Sequence, residues 1–344
     1  MEELNEQIKI LMKEIGIWKD FYTIEFNTKT SGQSLTFFIK ENENKLYIAK
    51  YFDYFQGIKD YIIDGIEINV NTVEEFENKL ADTSTNVNIE EILECIYISK
   101  RCFNRYVEVC SKTIGLFPKL FGFKNNVKIG RRFYGLLIEE FVKGKSLKEV
   151  VSTINRKEID IYEYAKNFVI NMADTIKKYT DCGFVHRDIS PDNIIITEDK
   201  PVVIDPGFIK IIDRNSTRAG CMFGKLYYAS PEQFAGNAVD VDFSSDLYSI
   251  GIILFEIITG INLLYQYIEI EKKGNPHQEI LKNLDRDIED MFFEYDEKES
   301  EKNKLFFRIL KKMLQIDKKL RFNDINTFME AISLLEGGKE WLSY

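Results

Sequence analysis

The sequence is short of the residues that dominate several classes of site. It has only two histidines in 344 residues, which argues against a histidine-rich zinc site. The five cysteines are odd in number and form no Cys-x-x-Cys pair, so we expect buried, reduced thiols in a cytoplasmic protein. Basic residues are outnumbered, and the net charge is −10. That charge argues against a general binder of nucleic acid or of anionic membranes, because both need a basic surface.

Long hydrophobic runs are also scarce. The most apolar window, residues 247–265, carries Glu256 near its middle and lies among polar and turn residues. A buried helix therefore explains it better than a membrane span. Residues 1–6 are acidic and lack an apolar core, so we do not expect a signal peptide there.

The order of the predicted elements indicates an α+β protein. Apolar residues recur on one helical face over residues 4–17, which predicts a short amphipathic helix within residues 1–18. Runs rich in β-branched and aromatic residues predict five strands, at 21–26, 35–39, 46–52, 117–123 and 133–140. A long helix is expected at about 89–112, and the second half of the chain has helical periodicity. Strands first and helices later indicate a two-part α+β plan.

Eight residues near the middle, HRDISPDN at 186–193, carry the clearest chemistry. The Asp188 carboxylate can accept a proton from an attacking hydroxyl, and the Asn193 amide oxygen can help to hold a metal ion. Twelve residues later an apolar run ends in Asp205-Pro206-Gly207, which offers a second metal-binding carboxylate. Hard oxygen ligands that act together with phosphates suit Mg²⁺.

These motifs resemble the protein kinase family, with its HRDxxxxN loop followed by a variant of DFG. Further similarities follow in the family's order. Lys50 ends the run Tyr-Ile-Ala-Lys and resembles the lysine of the third strand. Glu232 lies in Ala-Ser-Pro-Glu, which resembles the APE element, and Arg321 matches the arginine that pairs with it. Asp246 matches the aspartate that opens a buried helix and caps the catalytic loop.

The resemblance implies a two-lobed protein kinase fold. A small β-rich N-lobe with one main helix would occupy residues 19–139, with an insertion at about 53–88. A larger helical C-lobe would occupy residues 140–340. The implied activity is transfer of the γ-phosphoryl group of ATP, with Mg²⁺, to serine or threonine hydroxyls of protein substrates, including the chain itself.

The resemblance also assigns roles to single residues. Asp188 is the expected base, and Asn193 and Asp205 are the expected Mg²⁺ ligands. Lys50 would bridge the α- and β-phosphates, held by a helix glutamate for which Glu108 is the choice. Two other glutamates of the same predicted helix remain competitors, Glu91 and Glu94.

Two parts of the nucleotide site depart from the family pattern. The loop at 28–34 has one glycine where the family usually has three, and the phosphate contacts would come from Ser31, Gly32 and Ser34. The segment 137–144 resembles the hinge, where backbone groups of Glu140 and Val142 would take the adenine edge. Glu139 then occupies the gatekeeper position, where a large apolar residue is usual. A buried glutamate there needs a partner or a raised pKa.

A third departure concerns two residues beside the catalytic aspartate. Serine/threonine-specific members of the family carry a lysine where this chain has Ser190, and a threonine where it has Lys225. We interpret this as an exchange, in which Lys225 reaches the γ-phosphate and Ser190 supplies the hydroxyl. In the alternative interpretation Lys225 is an ordinary solvated lysine, and the cation at the position of Ser190 has been lost independently.

Two other functions remain open at this stage. A pseudokinase, which binds nucleotide or partners with little turnover, is favoured by the thin glycine loop, Pro206 and Ser190. A small-molecule phosphotransferase of the aminoglycoside type also carries an HxDxxxxN loop. Such enzymes typically lack the elements that contain Glu232 and Arg321, which argues against that alternative.

Overall fold

The computed structural model describes residues 1–28, 34–56, 58, 70, 72–81, 89–113, 115–206, 210–211, 225–237, 240–295 and 301–335. The chain divides into two compact units, Met1–Phe141 and Val142–Tyr344. Within the described ranges no single helix is long and apolar enough to cross a membrane. Two consecutive helical segments, Phe243–Thr259 and Leu263–Ile270, reach the length and apolar composition of a membrane span only when they are taken together, and the chain bends by 90° between them.

The first unit is a five-stranded antiparallel sheet with helices. Its strands lie in the order β1-β2-β3-β5-β4. In chain order the elements are α1 (Glu2–Glu14), β1 (Thr23–Phe26), β2 (Ser34–Glu41), β3 (Asn44–Asp53), α2 (Val73–Ala81), α3 (Ile89–Lys112), β4 (Leu120–Ile129) and β5 (Arg132–Glu140). All five strands and the long helix α3 were expected from the sequence.

The side chains of β3 alternate between the two faces of the sheet, because successive side chains of a strand point to opposite sides. Ala49 and Tyr51 are fully buried in a cluster that also contains side chains of α1. Lys50 and Phe52 point to the other face, where both contact Tyr106 of α3. The sheet thus has α1 on one face and α3 on the other.

Helix α1 is part of the core of this unit. Residues 1–18 were predicted to form a separate segment ahead of the lobe. In the structure Ile8 and Met12 are fully buried against the sheet, and the Tyr51 hydroxyl donates a hydrogen bond to the Leu4 carbonyl. The apolar face of α1 therefore covers one face of the sheet. Without this contact the apolar side chains of the helix and of that sheet face would be exposed to water.

The expected insertion at 53–88 contains one described helix, α2. Phe76 of this helix is fully buried and contacts the Phe55 ring, with 4.7 Å between ring centroids. No secondary structure was predicted for this insertion, so the helix was missed. Residues 57, 59–69, 71 and 82–88 lie outside the described part of the chain.

The second unit is mainly helical. Its elements are β6 (Lys145–Ser146), α4 (Leu147–Thr153), α5 (Ile161–Asp181), β7 (Phe184–Val185), β8 (Ile194–Ile196), β9 (Pro201–Val203), β10 (Lys210–Ile211), α6 (Pro231–Phe234), α7 (Phe243–Thr259), α8 (Leu263–Tyr265), α9 (Pro276–Tyr295), α10 (Glu301–Met313) and α11 (Ile325–Ser333). Helix α7 is buried along nearly its whole length and ends at Gly260, whose φ of 76° suits a residue without Cβ. Short strands β7 and β8 lie on either side of the HRDISPDN loop.

Removal of the Ile8 side chain tests the role of α1. Ile8→Ala is expected to lower the free energy of unfolding by about 2–4 kcal/mol, because it leaves a cavity in a fully buried site. Urea unfolding followed by circular dichroism measures this change. Glu6→Ala on the exposed face of the same helix is the control, with an expected change within about 0.5 kcal/mol. Equal effects of the two variants would show that α1 does not belong to the core.

Candidate active site

The HRDISPDN loop is held by a buried carboxylate of α7. Asp246 Oδ2 accepts a hydrogen bond of 2.8 Å from the backbone N–H of His186, and Oδ1 accepts one of 2.8 Å from that of Arg187. The Tyr179 hydroxyl donates a third, at 3.0 Å. Burial raises the pKa of Asp246 to about 6, while the two backbone N–H groups favour its ionised form. The expectation that Asp246 caps the loop is confirmed.

Arg187 gives the loop its shape. Its backbone φ is +70°, in the left-handed region that residues with a Cβ rarely adopt. Its carbonyl accepts a hydrogen bond of 2.7 Å from the Gln233 side chain, and its N–H is bonded to Asp246. Both backbone groups are therefore fixed by partners far away in the chain. Such a conformation persists only where the surroundings determine it.

Asp188 lies at the centre of the site. Asn193 Nδ2 donates to its carbonyl at 2.9 Å and to its Oδ2 at 2.7 Å, and the Lys225 backbone N–H donates to its Oδ1 at 3.1 Å. Burial raises the pKa of Asp188 to about 7; the charge of Lys225 opposes this rise, and that of Asp205 reinforces it. A carboxylate with a pKa near 7 suits a general base that works at neutral pH.

Two further oxygens near Asp188 fit a magnesium ion. Asn193 uses its amide nitrogen as a donor to Asp188, so its amide oxygen is the atom for a cation. The carboxylate of Asp205 is close enough for its charge to act on both Asp188 and His186: it adds to the rise in the pKa of Asp188 and opposes the fall in the pKa of His186 that burial causes. Like charges so near each other favour a bound cation. Among the described residues no group of three or more His, Cys, Asp or Glu side chains is arranged so that it could hold a metal ion by itself, so phosphate and water oxygens would complete the coordination.

His186 belongs to the framework of the loop. It is fully buried, and burial lowers its pKa to about 4, so the ring is neutral. Its Nδ1 accepts a hydrogen bond of 3.3 Å from the Asp188 backbone N–H. The ring therefore helps to orient the residue that carries the expected base.

Lys225 lies beside Asp188, but the hydrogen bond between them is donated by its backbone N–H, so the exchange hypothesis for its side chain stays a prediction. Its ammonium group is bonded to Asp192 Oδ2 at 2.6 Å, and Lys148 approaches the other oxygen of Asp192 at 3.1 Å. Ser190 is fully buried, and its hydroxyl has no hydrogen-bond partner among the described residues. The contact with Asp192 was missed, because the sequence gives no sign of which charge a lysine at position 225 meets.

Lys50 of the first unit has a different partner from the one expected. Its Nζ lies 2.9 Å from Glu139 Oε1 and 2.8 Å from the Tyr106 hydroxyl. Glu108 instead pairs with Lys112, one turn further along α3, at 2.6 Å. Residues two apart in a helix point about 200° apart, so Glu108 and Tyr106 cannot both face Lys50. The assignment of Glu108 is therefore wrong, and Glu139 provides the carboxylate.

The remaining nucleotide residues stay predictions. Ser31 and Gly32 lie outside the described residues, and Ser34 opens β2 opposite Phe52. Glu140 closes β5, and its backbone N–H donates to the Lys119 carbonyl at 2.9 Å. Val142, the first residue of the second unit, is half-buried.

The pairing of Glu232 with Arg321 is confirmed. Arg321 donates to both carboxylate oxygens, at 2.8 and 2.9 Å, and is 1% exposed. Burial alone would raise the pKa of Glu232, but the hydrogen bonds and charge of Arg321 bring it below its ordinary value. Arg321 also donates to the backbone carbonyls of Gln315, Ser244 and Ile316, so all three of its guanidinium nitrogens are hydrogen-bonded.

The protein kinase domain family matches residues 109–333 of this chain, well over half of it. The chain therefore belongs to the protein kinase family. The match contains the catalytic loop, Asp205, Glu232 and Arg321. It begins after Lys50 and Tyr106, so the first three strands are assigned to the fold by the structure and by the motif order.

Similar proteins are bacterial serine/threonine-protein kinases. A probable serine/threonine-protein kinase of Clostridium perfringens is 31% identical over 172 residues, which are 47% of this chain and 24% of the relative. The probable serine/threonine-protein kinase PknB of Lactococcus lactis is 35% identical over 126 residues, 36% of this chain and 19% of the relative. PknB of Mycobacterium leprae is 34% identical over 127 residues, 36% of this chain and 20% of the relative. The matched part thus spans about a quarter or less of each relative.

The raised pKa of Asp188 predicts a stabilising but inactivating substitution. At pH 8 the folded state holds a buried carboxylate whose pKa is about 7, against an ordinary value of 3.8. Asp188→Asn removes that cost, so its melting temperature should exceed that of the wild type at pH 8. The difference should shrink as the pH falls below about 7, because Asp188 is then protonated in the folded protein.

Differential scanning fluorimetry from pH 5 to pH 8 measures this difference. Asp174→Asn, on the exposed side of α5, is the matched control, since it removes a carboxylate from a solvated site. A melting temperature of Asp188→Asn at or below the wild-type value at pH 8 would show that burial of the Asp188 carboxylate does not destabilise the folded protein.

Proposed function

We propose that the chain is an ATP- and Mg²⁺-dependent protein kinase that phosphorylates serine or threonine in protein substrates, itself included. The observation that carries the proposal is the geometry around Asp188. Asn193 and Lys225 hold its carboxylate, and the charge of Asp205 acts on it from nearby. Phosphoryl transfer relies mainly on positioning and charge, and these groups supply a base and two metal-binding oxygens.

The roles follow from the chemistry of each side chain. Asp188 accepts the proton of the substrate hydroxyl. Asn193 and Asp205 would hold Mg²⁺, which neutralises charge on the phosphates when bound. Lys50 provides the cation for the α- and β-phosphates, and Lys225 provides one at the γ-phosphate. The Lys225 ammonium can turn from Asp192 to a phosphate oxygen, since it has three donors on a flexible stem.

The proposal extends to a cytoplasmic location, without nucleic acid or membrane as a partner. The net charge of −10 supports this. Within the described residues Cys95, Cys102, Cys110 and Cys182 form no disulfide, as expected in a reducing compartment. The expectation that the cysteines are buried is correct only for Cys110 among these four, and Cys221 lies outside the described residues.

Transfer of radiolabelled phosphate tests the activity directly. Wild type with Mg²⁺ and γ-labelled ATP should label itself or an added acceptor such as casein, with the label on phosphoserine or phosphothreonine. Asp188→Ala should lower the rate by about 10²- to 10⁴-fold, because the base is lost. No transfer by wild type, with Mg²⁺–ATP still raising its melting temperature, would favour the pseudokinase. Transfer confined to an aminoglycoside would favour the small-molecule phosphotransferase.

A pair of lysine variants tests the proposed role of Lys225. Lys225→Ala should lower kcat about 100-fold, because a missing cation leaves the charge of the transferring phosphate uncompensated. Lys148→Ala is the matched control, since Lys148 also binds Asp192 but has no contact with Asp188 among the described residues. Its kcat should stay within about threefold of wild type, since such outer charges contribute little. Undiminished turnover by Lys225→Ala would eliminate the exchange hypothesis.

A further inference from the structure

Lys50 is held by a carboxylate of its own sheet. Lys50 and Glu139 are 6% and 1% exposed, and their charged groups are 2.9 Å apart. Ile48 lies directly opposite Glu139 in the register of β3 and β5, and Lys50 follows two residues later. Lys50 and Glu139 are therefore diagonal neighbours on one face of the sheet. The backbone ladder between the two strands fixes the separation of the two side chains.

Tyr106 of α3 completes the arrangement. Its hydroxyl accepts a hydrogen bond of 2.8 Å from Lys50 Nζ and donates one of 2.5 Å to Glu139 Oε2. The ring is fully buried and packs against Phe52, with 5.6 Å between centroids. The helix thus presents a neutral phenol to the lysine, and its hydroxyl bridges the two members of the ion pair.

Glu139 is a buried carboxylate in an otherwise apolar stretch of β5. It is the last buried residue of β5, and the five residues before it in the strand, Tyr134 to Ile138, are apolar or glycine. Lysine and glutamate are almost never fully buried unless paired, since loss of hydration is costly. An apolar residue at position 139 would leave Lys50 as a buried cation without this carboxylate. Glu139 and Lys50 therefore depend on each other.

We propose that Glu139 is the positioning residue for Lys50 and replaces the helix glutamate that performs this task elsewhere in the family. This inference rests on the proposed kinase function, in which Lys50 contacts the phosphates. In other protein kinases the lysine is positioned only when its helix is in place. Here strand pairing sets the position of the charge, and displacement of α3 removes a phenol but leaves the ion pair intact.

A swap of the carboxylate between strand and helix tests this. Glu139→Leu should lower kcat/KM for phosphotransfer at least about 30-fold, as expected for loss of a preorganised charge. Tyr106→Glu combined with Glu139→Leu moves a carboxylate to the helix face that meets Lys50. This double variant should recover at least about tenfold of the lost kcat/KM, because a counter-ion for Lys50 is restored. Recovery by the double variant is not expected if residue 139 acts only through packing.

Glu108→Gln tests the competing assignment. Since Glu108 pairs with Lys112 in the structure, its kcat/KM should stay within about twofold of wild type. A loss in Glu108→Gln equal to that of Glu139→Leu would overturn the proposal, and so would full activity of Glu139→Leu.

A thermal-stability cycle separates this inference from the kinase function and from misfolding. Lys50→Met, Glu139→Leu and the double variant are compared with wild type by melting temperature, which needs no turnover. The double variant should melt well above Glu139→Leu, because the buried cation that loses this carboxylate in Glu139→Leu is removed as well. Additive changes in the cycle would overturn the positioning role even if wild type is an active kinase. If the changes in melting temperature are not additive but wild type transfers no phosphate, the kinase function is rejected and the contact between Lys50 and Glu139 is supported.

Discussion

The catalytic loop depends on one buried carboxylate, that of Asp246. It accepts hydrogen bonds of 2.8 Å each from the backbone N–H groups of His186 and Arg187, the two residues that immediately precede Asp188. A buried backbone N–H without a partner is costly, so the carboxylate makes the left-handed conformation of Arg187 tolerable. The direction in which Asp188 points follows from this. Because α7 is buried along its length, the carboxylate is itself fixed by the core of the second unit.

Buried charges set geometry in both units. In the second unit Glu232 and Arg321 form a two-point ion pair, and in the first unit Lys50 and Glu139 pair across neighbouring strands. Ion pairs of this kind add little net stability, because desolvation offsets their attraction. Loss of either partner is costly, however, because it leaves the other charge buried without that counter-ion. Such pairs therefore fix where a functional group lies.

The sequence predicted those features that linear motifs define. Asp246, Glu232 and Arg321 were identified because the motif order of the family gives each of them a distinct position, and the extent of α3 followed from helical periodicity. The assignment of Glu108 failed because the register of a helix against a sheet is a tertiary property, and the sequence does not show which residue of α3 faces Lys50. The partner of Glu139 depends on the pairing of β3 with β5, and that of Lys225 on a loop contact. Neither is encoded in local spacing.

Burial raises the pKa of Asp188, the proposed base, to about 7. The pH dependence of kcat/KM for phosphotransfer reports the ionisation of essential groups in the free enzyme. The structure predicts a rate that rises tenfold per pH unit on the acid side and levels off near pH 7, where Asp188 loses its proton. A rate that is unchanged from pH 5 to pH 8 would contradict the account, because Asp188 would then be ionised throughout or uninvolved.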